Sequence, residues 1–289
     1  MKRFIKTLCL VLSVAMLAMT AFSLAACEDI KEVEITVSVY DISNSKQVEK
    51  TFTVSLYRHL ADDTVDALTS YAEKGYYDGL PFYKFASSYT TQIMAGDFEI
   101  VGGAVKAKTA DYVKNIDGEF EKAGVVGSDL KNEEGSLGLW RTWFESGAYN
   151  KNSDAAFGSG RATVYAPTSE ISGYDGYFCV FGKIDLEDDD TKEAFSLIKA
   201  VFANSEYYTS YTVYYTGEYG DHGETLEYHC DLTDDYKEKT EDDAFKDSVF
   251  KAKGEQFVCF NSQEIYVPMA TVGGTENYIT AKIVSAKVK

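Results

Sequence analysis

Two neighbouring segments, residues 75–84 and 92–97, restrict the possible folds of this 289-residue chain more than any other stretch. The first contains a glycine, two tyrosines, an Asp-Gly pair and the run Leu-Pro-Phe-Tyr-Lys, and the second ends in Gly-Asp. Glycine supplies the positive φ that the end of a helix and a tight turn require. The pattern predicts the end of a helix, a turn, and then paired strands that cross a β-barrel.

Alternating apolar and polar residues predict further β-strands on both sides of these segments. Residues 33–40 and 51–57 alternate around a turn rich in Asp, Ser and Asn, which predicts a hairpin. Residues 161–165 and 278–288 show the same alternation. The chain is therefore expected to be mostly β, with a minority of α-helix.

Two helices are predicted from their caps and their apolar stripes. The first begins at Asp63 or Thr64 and ends before Gly75, with apolar residues three and four positions apart. The second covers residues 193–202 and follows a capping box at residues 190–193. That box places acidic side chains at the positive end of the helix dipole.

The first 26 residues have the composition of a signal peptide, in which a positively charged start precedes an apolar run. The sequence Leu-Ala-Ala-Cys that closes this run resembles a bacterial lipobox, whose cysteine becomes the diacylated N-terminus. We therefore predict a lipid on Cys27, a tether at residues 27–32 and an extracytoplasmic protein attached to a bacterial membrane. The alternative is an ordinary signal peptide whose cleavage leaves Cys27 unmodified.

Charge excludes some classes of partner. Loss of the leader removes three positive charges, which takes the formal net charge from −18 to −21. An acidic surface of this size argues against nucleic acid and against electrostatic docking on anionic lipid. It favours solubility at the end of a tether.

The remaining cysteines and histidines do not form a recognisable metal motif. Cys179 lies in an apolar strand pattern and is predicted to be a buried thiol, whereas Cys230 and Cys259 could pair outside the cytoplasm. A zinc site built from His222, His229 and Cys230 lacks both the usual spacing and a fourth ligand. We therefore predict no metal and no cofactor.

Several motifs resemble the cyclophilins, the peptidyl-prolyl cis-trans isomerases. Residues 75–84 and 92–97 resemble the family's Gly, Tyr, turn, Phe-His-Arg, Gln and Gly-Asp pattern, and residues 174–184 resemble its Leu-Asp-Gly-x-x-x-Val-Phe-Gly-x-Val. The resemblance implies a closed antiparallel eight-stranded barrel with two capping helices over residues 33–289. Residues from about 205 to 264 are additional to the family's pattern, and they are predicted to be an inserted segment with a β-hairpin and a helix.

The resemblance also implies a site. Cyclophilins use an arginine to hydrogen-bond the prolyl amide, and Lys84 occupies that position here. The implied substrate groove consists of Phe82, Tyr89, Gln92, Leu139, Arg161, Tyr174 and Phe178. The pocket phenylalanine falls at Tyr89 or at Thr91, depending on where an insertion between the two segments lies. Since a lysine lacks the fixed fork of a guanidinium, Arg141 or Arg161 could substitute from a neighbouring strand; the alternative is a surface or salt-bridging arginine.

Two functions follow from the resemblance. The first is a membrane-anchored prolyl isomerase that acts on proline-containing polypeptide segments and assists the folding of exported proteins. The second is a module of the same fold that binds such segments with little or no catalysis. A tyrosine-rich hairpin at residues 207–229 could bind a partner, or its tyrosines could cover apolar surface of the barrel.

Overall fold

The computed structural model describes residues 29–86, 91–108, 110–125, 130–141, 152, 157–216, 227–229 and 261–289. The expectations for the leader, for Cys27 and Tyr89, for a Cys230–Cys259 disulfide and for the helix of the inserted segment lie outside this part of the chain.

Two α-helices, four three-residue 3₁₀-helices and fifteen strands lie in the described residues. In chain order the α-helices and strands are β1 Ile30–Asp41, β2 Lys46–Tyr57, α1 Asp62–Glu73, β3 Lys84–Phe85, β4 Gln92–Ala95, β5 Phe98–Val101, β6 Ala104–Ala107, β7 Ser136–Leu139, β8 Val164–Pro167, β9 Val180–Ile184, α2 Asp189–Ala203, β10 Thr209–Thr216, β11 Glu227–His229, β12 Asn261–Val267, β13 Met269–Val272, β14 Thr275–Ile279 and β15 Ala281–Val288.

The main sheet is antiparallel, curled and seven-stranded, in the order β15-β1-β2-β9-β7-β8-β4. The predicted first hairpin is confirmed, because β1 and β2 pair from Ile30 opposite Tyr57 to Asp41 opposite Lys46. The Asp41 carboxylate closes the turn by accepting hydrogen bonds from the backbone N–H groups of Ser43 and Asn44 at 3.0 and 3.1 Å. Alternate side chains of these strands point inward and form the core with the two helices.

Residues 79–83 connect the two edges of this sheet. The N–H of Phe82 donates to Ala281 O in β15 at 3.3 Å, and the N–H of Tyr83 donates to Met94 O in β4 at 2.9 Å. These contacts are isolated bridges and do not form an eighth strand. The structure thus shows a curled seven-stranded sheet, and the closed eight-stranded barrel stays a prediction.

Both predicted helices are present, but both predicted caps are wrong. Helix α1 follows Ala61, which makes no side-chain cap; instead, the Glu119 carboxylate accepts from the N–H groups of Asp63 and Thr64 at 3.1 and 2.8 Å. Helix α2 begins four residues earlier than predicted, because Asp188 is its N-cap and accepts from the Thr191 N–H at 2.8 Å. None of the helices in the described residues is both long and apolar enough to span a membrane.

A second sheet, in the order β11-β10-β12-β3, contains the predicted inserted hairpin. Strands β10 and β11 pair with Tyr214 opposite His229, as the alternation of tyrosines predicted. Strand β12 was not predicted. It pairs with β10 on one side, and on the other side Ile265 lies opposite Phe85 of β3. The inserted segment is therefore attached to the same strand that carries Lys84.

Candidate functional site

Lys84 is bound to the end of helix α2. Its Nζ donates to the Phe202 carbonyl oxygen at 3.3 Å and lies 5.9 and 5.4 Å from the ring centroids of Phe202 and Tyr266. The last turn of α2 contains no basic residue of its own. A cation that hydrogen-bonds one of the last carbonyls stabilises a helix C-terminus, so Lys84 serves here as a C-terminal cap supplied by another element. Partial burial lowers the pKa of Lys84.

A cleft of about 240 Å³ opens beside this ammonium group. We call it the polar cleft; it is lined by Lys84, Thr91, Gln92, Ile93, Thr168, Lys199, Phe202 and Ala203. It brings together two of the residues that the sequence assigned to a site, Lys84 and Gln92. A second lysine, Lys199, forms an ion pair with Glu134.

Gln92 connects the polar cleft to a group of buried aromatic residues. The side chain is 1% exposed, and its Nε2 donates to the Met94 sulfur at 3.7 Å. Met94 lies in β4 directly opposite Tyr83. Since alternate residues of a strand point to opposite faces, Tyr83 and Phe85 face this group, whereas Lys84 faces α2.

We call this group the aromatic cluster. It consists of Tyr83, Phe85, Met94, Trp140, Tyr165, Tyr174 and Phe178. The ring centroids of Tyr174 and Phe178 are 4.4 Å apart, and Phe178 stacks on Trp140 at 5.3 Å. Burial raises the pKa of Tyr174 to about 12. Tyr174 and Phe178, which the resemblance assigned to the substrate groove, are 9% and 3% exposed, so both rings are buried in this structure.

Strands of the inserted segment cover the aromatic cluster. Val213 of β10 and Ile265 and Val267 of β12 are fully buried members of the same apolar group, and Met269 of β13 is 1% exposed. Tyr211 packs partly buried against them. This position of Tyr211 agrees with the interpretation that the tyrosine hairpin covers the barrel.

Of the two arginines considered, Arg141 reaches the aromatic cluster. It is 2% exposed, its Nε donates to Tyr177 O at 2.8 Å, and its guanidinium carbon lies 5.0 Å from the Phe178 ring centroid. Burial lowers the pKa of Arg141 to about 10. Arg161 lies elsewhere, where its Nη2 donates to Val113 O at 3.2 Å.

Two of the other assigned residues belong to the interior of the sheet. Phe82 lines an internal cavity of about 70 Å³ and packs against the main core. Leu139 is 4% exposed and belongs to the same core. The structure therefore brings Lys84 and Gln92 to the polar cleft, joins Gln92 to the pair Tyr174 and Phe178 through a hydrogen bond with Tyr174, and packs Phe82 and Leu139 in or against the main core.

Sequence reasoning did not identify Phe85 and Trp140 as members of the aromatic cluster. It also did not predict that residues of β12 cover this cluster. The alternation of residues 82–85 was the available signal for Phe85, because it places that ring on the face opposite to Lys84. Residues 264–267 also alternate, which is typical of a strand, but nothing local indicates its partner. Among the described residues, no group of three or more His, Cys, Asp or Glu side chains is placed to hold a metal ion.

Comparisons with known proteins give one matching family. The model of the family described as cyclophilin type peptidyl-prolyl cis-trans isomerase/CLD matches residues 39–206. A crystal structure of a cyclophilin-type peptidyl-prolyl cis-trans isomerase from Cryptosporidium parvum, with the dipeptide Ala-Pro present, is 18% identical and covers 55% of this chain and 82% of its own, with a TM-score of 0.34. A second structure of that protein is 14% identical, covers 58% and 83%, and has a TM-score of 0.35. No curated protein matches the chain.

Proposed function

The chain belongs to the cyclophilin-type peptidyl-prolyl cis-trans isomerase family, and we propose that it isomerises X-Pro bonds in exported polypeptides while a lipid on Cys27 holds it at the outer side of a bacterial membrane. The isomerase-like function is supported by the family match, which covers residues 39–206, or 168 of the 289 residues. The apolar leader and the Leu-Ala-Ala-Cys sequence support the anchor and the location. We further propose that residues 79–83 close the seven-stranded sheet into the barrel of this family.

The proposed chemistry uses the polar cleft. Rotation about an X-Pro bond has a barrier of about 20 kcal/mol because resonance stiffens the amide. A hydrogen-bond donor to the prolyl nitrogen lowers this barrier, since that nitrogen becomes a better acceptor as the amide twists and resonance is lost. Lys84 is the candidate catalytic donor and Gln92 a second polar contact, because both line the same cleft. The ammonium group would have to leave the Phe202 carbonyl to reach a substrate.

A second candidate function is binding of proline-containing segments with little catalysis. Two observations favour it. The Lys84 ammonium already has a backbone acceptor at 3.3 Å, and Tyr174 and Phe178, two residues of the implied groove, are buried against each other. A lysine also lacks the two parallel donors with which a guanidinium holds a planar amide.

Isomerisation of an Ala-Pro peptide by the soluble chain from residue 28 onward tests both candidates. We expect Lys84→Ala to lower the catalysed rate by about tenfold or more, since loss of one preorganised donor costs this much or more in other enzymes. We expect Lys84→Arg to retain or raise the rate. Lys183→Ala is the control, because Lys183 lies on β9 in an exposed ion pair with Glu133.

The outcomes separate the two functions. Rates equal to the uncatalysed rate in every variant, together with measurable peptide binding, would leave only the binding module. A normal rate in Lys84→Ala would show that another group is the donor. Thermal unfolding of each variant checks that loss of the α2 cap has not unfolded the protein.

A further inference from the structure

The described residues that line the polar cleft carry positive charge and no negative charge. Lys84 and Lys199 are the charged side chains among them, and the others are polar or apolar residues without a carboxylate. The chain as a whole is acidic, with 46 Asp and Glu residues against 28 Lys and Arg. The polar cleft is therefore opposite in sign to the net charge of the protein.

Helix α2 places Lys199 at the cleft. Lys199, Phe202 and Ala203 all line it, because residues three and four positions apart share one face of a helix. The Lys199 ammonium lies 5.3 Å from the Phe195 ring centroid and donates to the Glu134 carboxylate. Its side chain is still 35% exposed, so a ligand in the cleft can reach it.

Both ammonium groups retain hydrogen-bond donors for a ligand. An ammonium group has three N–H donors. Within the part of the chain that the structure describes, Lys84 uses one donor on the Phe202 carbonyl and Lys199 uses one on Glu134. The Thr168 hydroxyl, by contrast, already donates to Thr91 O at 2.8 Å. The two lysines are therefore the groups of the cleft best suited to bind a negatively charged group of a ligand.

The volume of the cleft limits what it can hold. At about 240 Å³ it is smaller than the roughly 300–1,000 Å³ of pockets that enclose a drug-sized ligand. Such a volume suits a proline ring together with one neighbouring side chain. Selectivity in this cleft therefore concerns the residue next to the proline.

We propose that the polar cleft selects segments in which a residue adjacent to the proline is acidic, and that Lys199 is the residue that determines this specificity. The carboxylate of the segment accepts hydrogen bonds from the Lys199 ammonium while Lys84 acts at the prolyl amide. Partial enclosure strengthens the ion pair relative to one on an open surface, because the effective dielectric constant is lower. The inference rests on the proposed function, since it names the substrate class of the same site.

Two pairs of peptides test this selectivity, each with an acidic member and a neutral member of nearly the same shape. They are Ala-Glu-Pro-Ala with Ala-Gln-Pro-Ala, and Ala-Pro-Glu-Ala with Ala-Pro-Gln-Ala, all with blocked termini so that no terminal charge competes. We expect the purified protein to prefer the acidic member of at least one pair by about threefold to tenfold in kcat/KM, somewhat more than an exposed ion pair provides. The preference should shrink in 1 M salt because of screening. If the protein binds without catalysis, calorimetric affinities give the same ratio.

Substitution of Lys199 assigns the preference to one side chain. Lys199→Gln should remove the preference and leave the neutral peptides unaffected, because only the acidic peptides use the charge. Lys199→Arg should keep it, since the positive charge remains. Lys192→Gln is the matched control, because it makes the same change of charge on the same helix at an exposed residue outside the cleft. Thermal unfolding establishes that each variant is folded, as expected for loss of one exposed ion pair.

The outcomes separate failure of the selectivity from failure of the proposed function. If the wild type neither isomerises nor binds any of the four peptides, the proposed function is wrong, and the selectivity with it. If it acts on the peptides but treats the acidic and neutral members of both pairs alike, the function stands and the selectivity is overturned. A preference that survives in Lys199→Gln, or that Lys192→Gln loses to the same extent, also overturns it, because the overall charge rather than the cleft would then be responsible.

Discussion

At the residue scale, Asp97 shows how the carboxylate of a half-buried residue responds to its surroundings. Gly96 before it has φ of +142°, and an added Cβ there would lie 2.6 Å from the Ala162 carbonyl oxygen. The backbone at Gly96 thus lies close against residues 162 and 163, and the next residue, Asp97, has Arg161, Tyr83 and Thr163 as neighbours. Burial raises the pKa of Asp97 from 3.8 to about 6, and these three neighbours reduce the rise without cancelling it.

This pKa predicts a pH-dependent loss of stability. Between pH 4 and 6 the unfolded chain has already released the Asp97 proton, whereas the folded protein still holds it. Stability from this group is therefore greatest below pH 4 and falls as pH rises to 6, by about 1 to 3 kcal/mol. We expect Asp97→Asn to remove that fall.

Denaturant unfolding at pH 4, 5, 6 and 7 measures the effect as the difference between wild type and variant. Asp111→Asn, at an exposed turn, controls for the loss of one negative charge. Parallel pH profiles for wild type and Asp97→Asn would contradict the prediction.

At the element scale, helix α2 depends on residues at both of its ends. Asp188 accepts from the Thr191 N–H at the first turn, and Lys84 donates to Phe202 O at the last. The first contact is local in sequence and the second is not. This difference explains why a capping box could be recognised near the right place, while the role of Lys84 as a cap was not anticipated.

Because Asp188 rather than Asp190 is the N-cap of α2, replacing these two aspartates by alanine should lower Tm by unequal amounts. Asp188→Ala removes the acceptor of the Thr191 N–H and should lower Tm by about 2 to 4 °C. Asp190→Ala, which alters the residue that the sequence pattern assigned as cap, should have a smaller effect. Differential scanning calorimetry of both variants measures this, and equal shifts would indicate that only the charge near the helix dipole matters.

At the scale of the whole molecule, the chain combines a curled sheet with an acidic surface and a predicted anchor. A formal net charge of −18 with the leader, and −21 without it, disfavours adsorption to anionic lipid. Attachment to a membrane would then depend on the acyl chains rather than on electrostatic contact.

The anchor gives a direct prediction about fractionation. The wild-type protein should sediment with membranes and remain there in high salt, because acyl chains are unaffected by screening. Cys27→Ser should appear in the soluble fraction, since it has no thiol to acylate. Cys259→Ser, which changes a different cysteine of the same chain, should behave as the wild type; membrane attachment of Cys27→Ser would rule out the lipid.

The sequence by itself determined the family, the mostly β character, the first hairpin and the existence of both helices. These features depend on alternation, turn chemistry and motif spacing, which act over a few neighbouring residues. The tertiary structure decided what surrounds each site residue: Lys84 beside the end of α2, Gln92 at the polar cleft, and Tyr174 and Phe178 buried beneath strands of the inserted segment. Those contacts join residues that are far apart in the chain, such as Lys84 with Phe202 and Phe85 with Ile265, and long-range packing of this kind leaves no signal in a local sequence pattern.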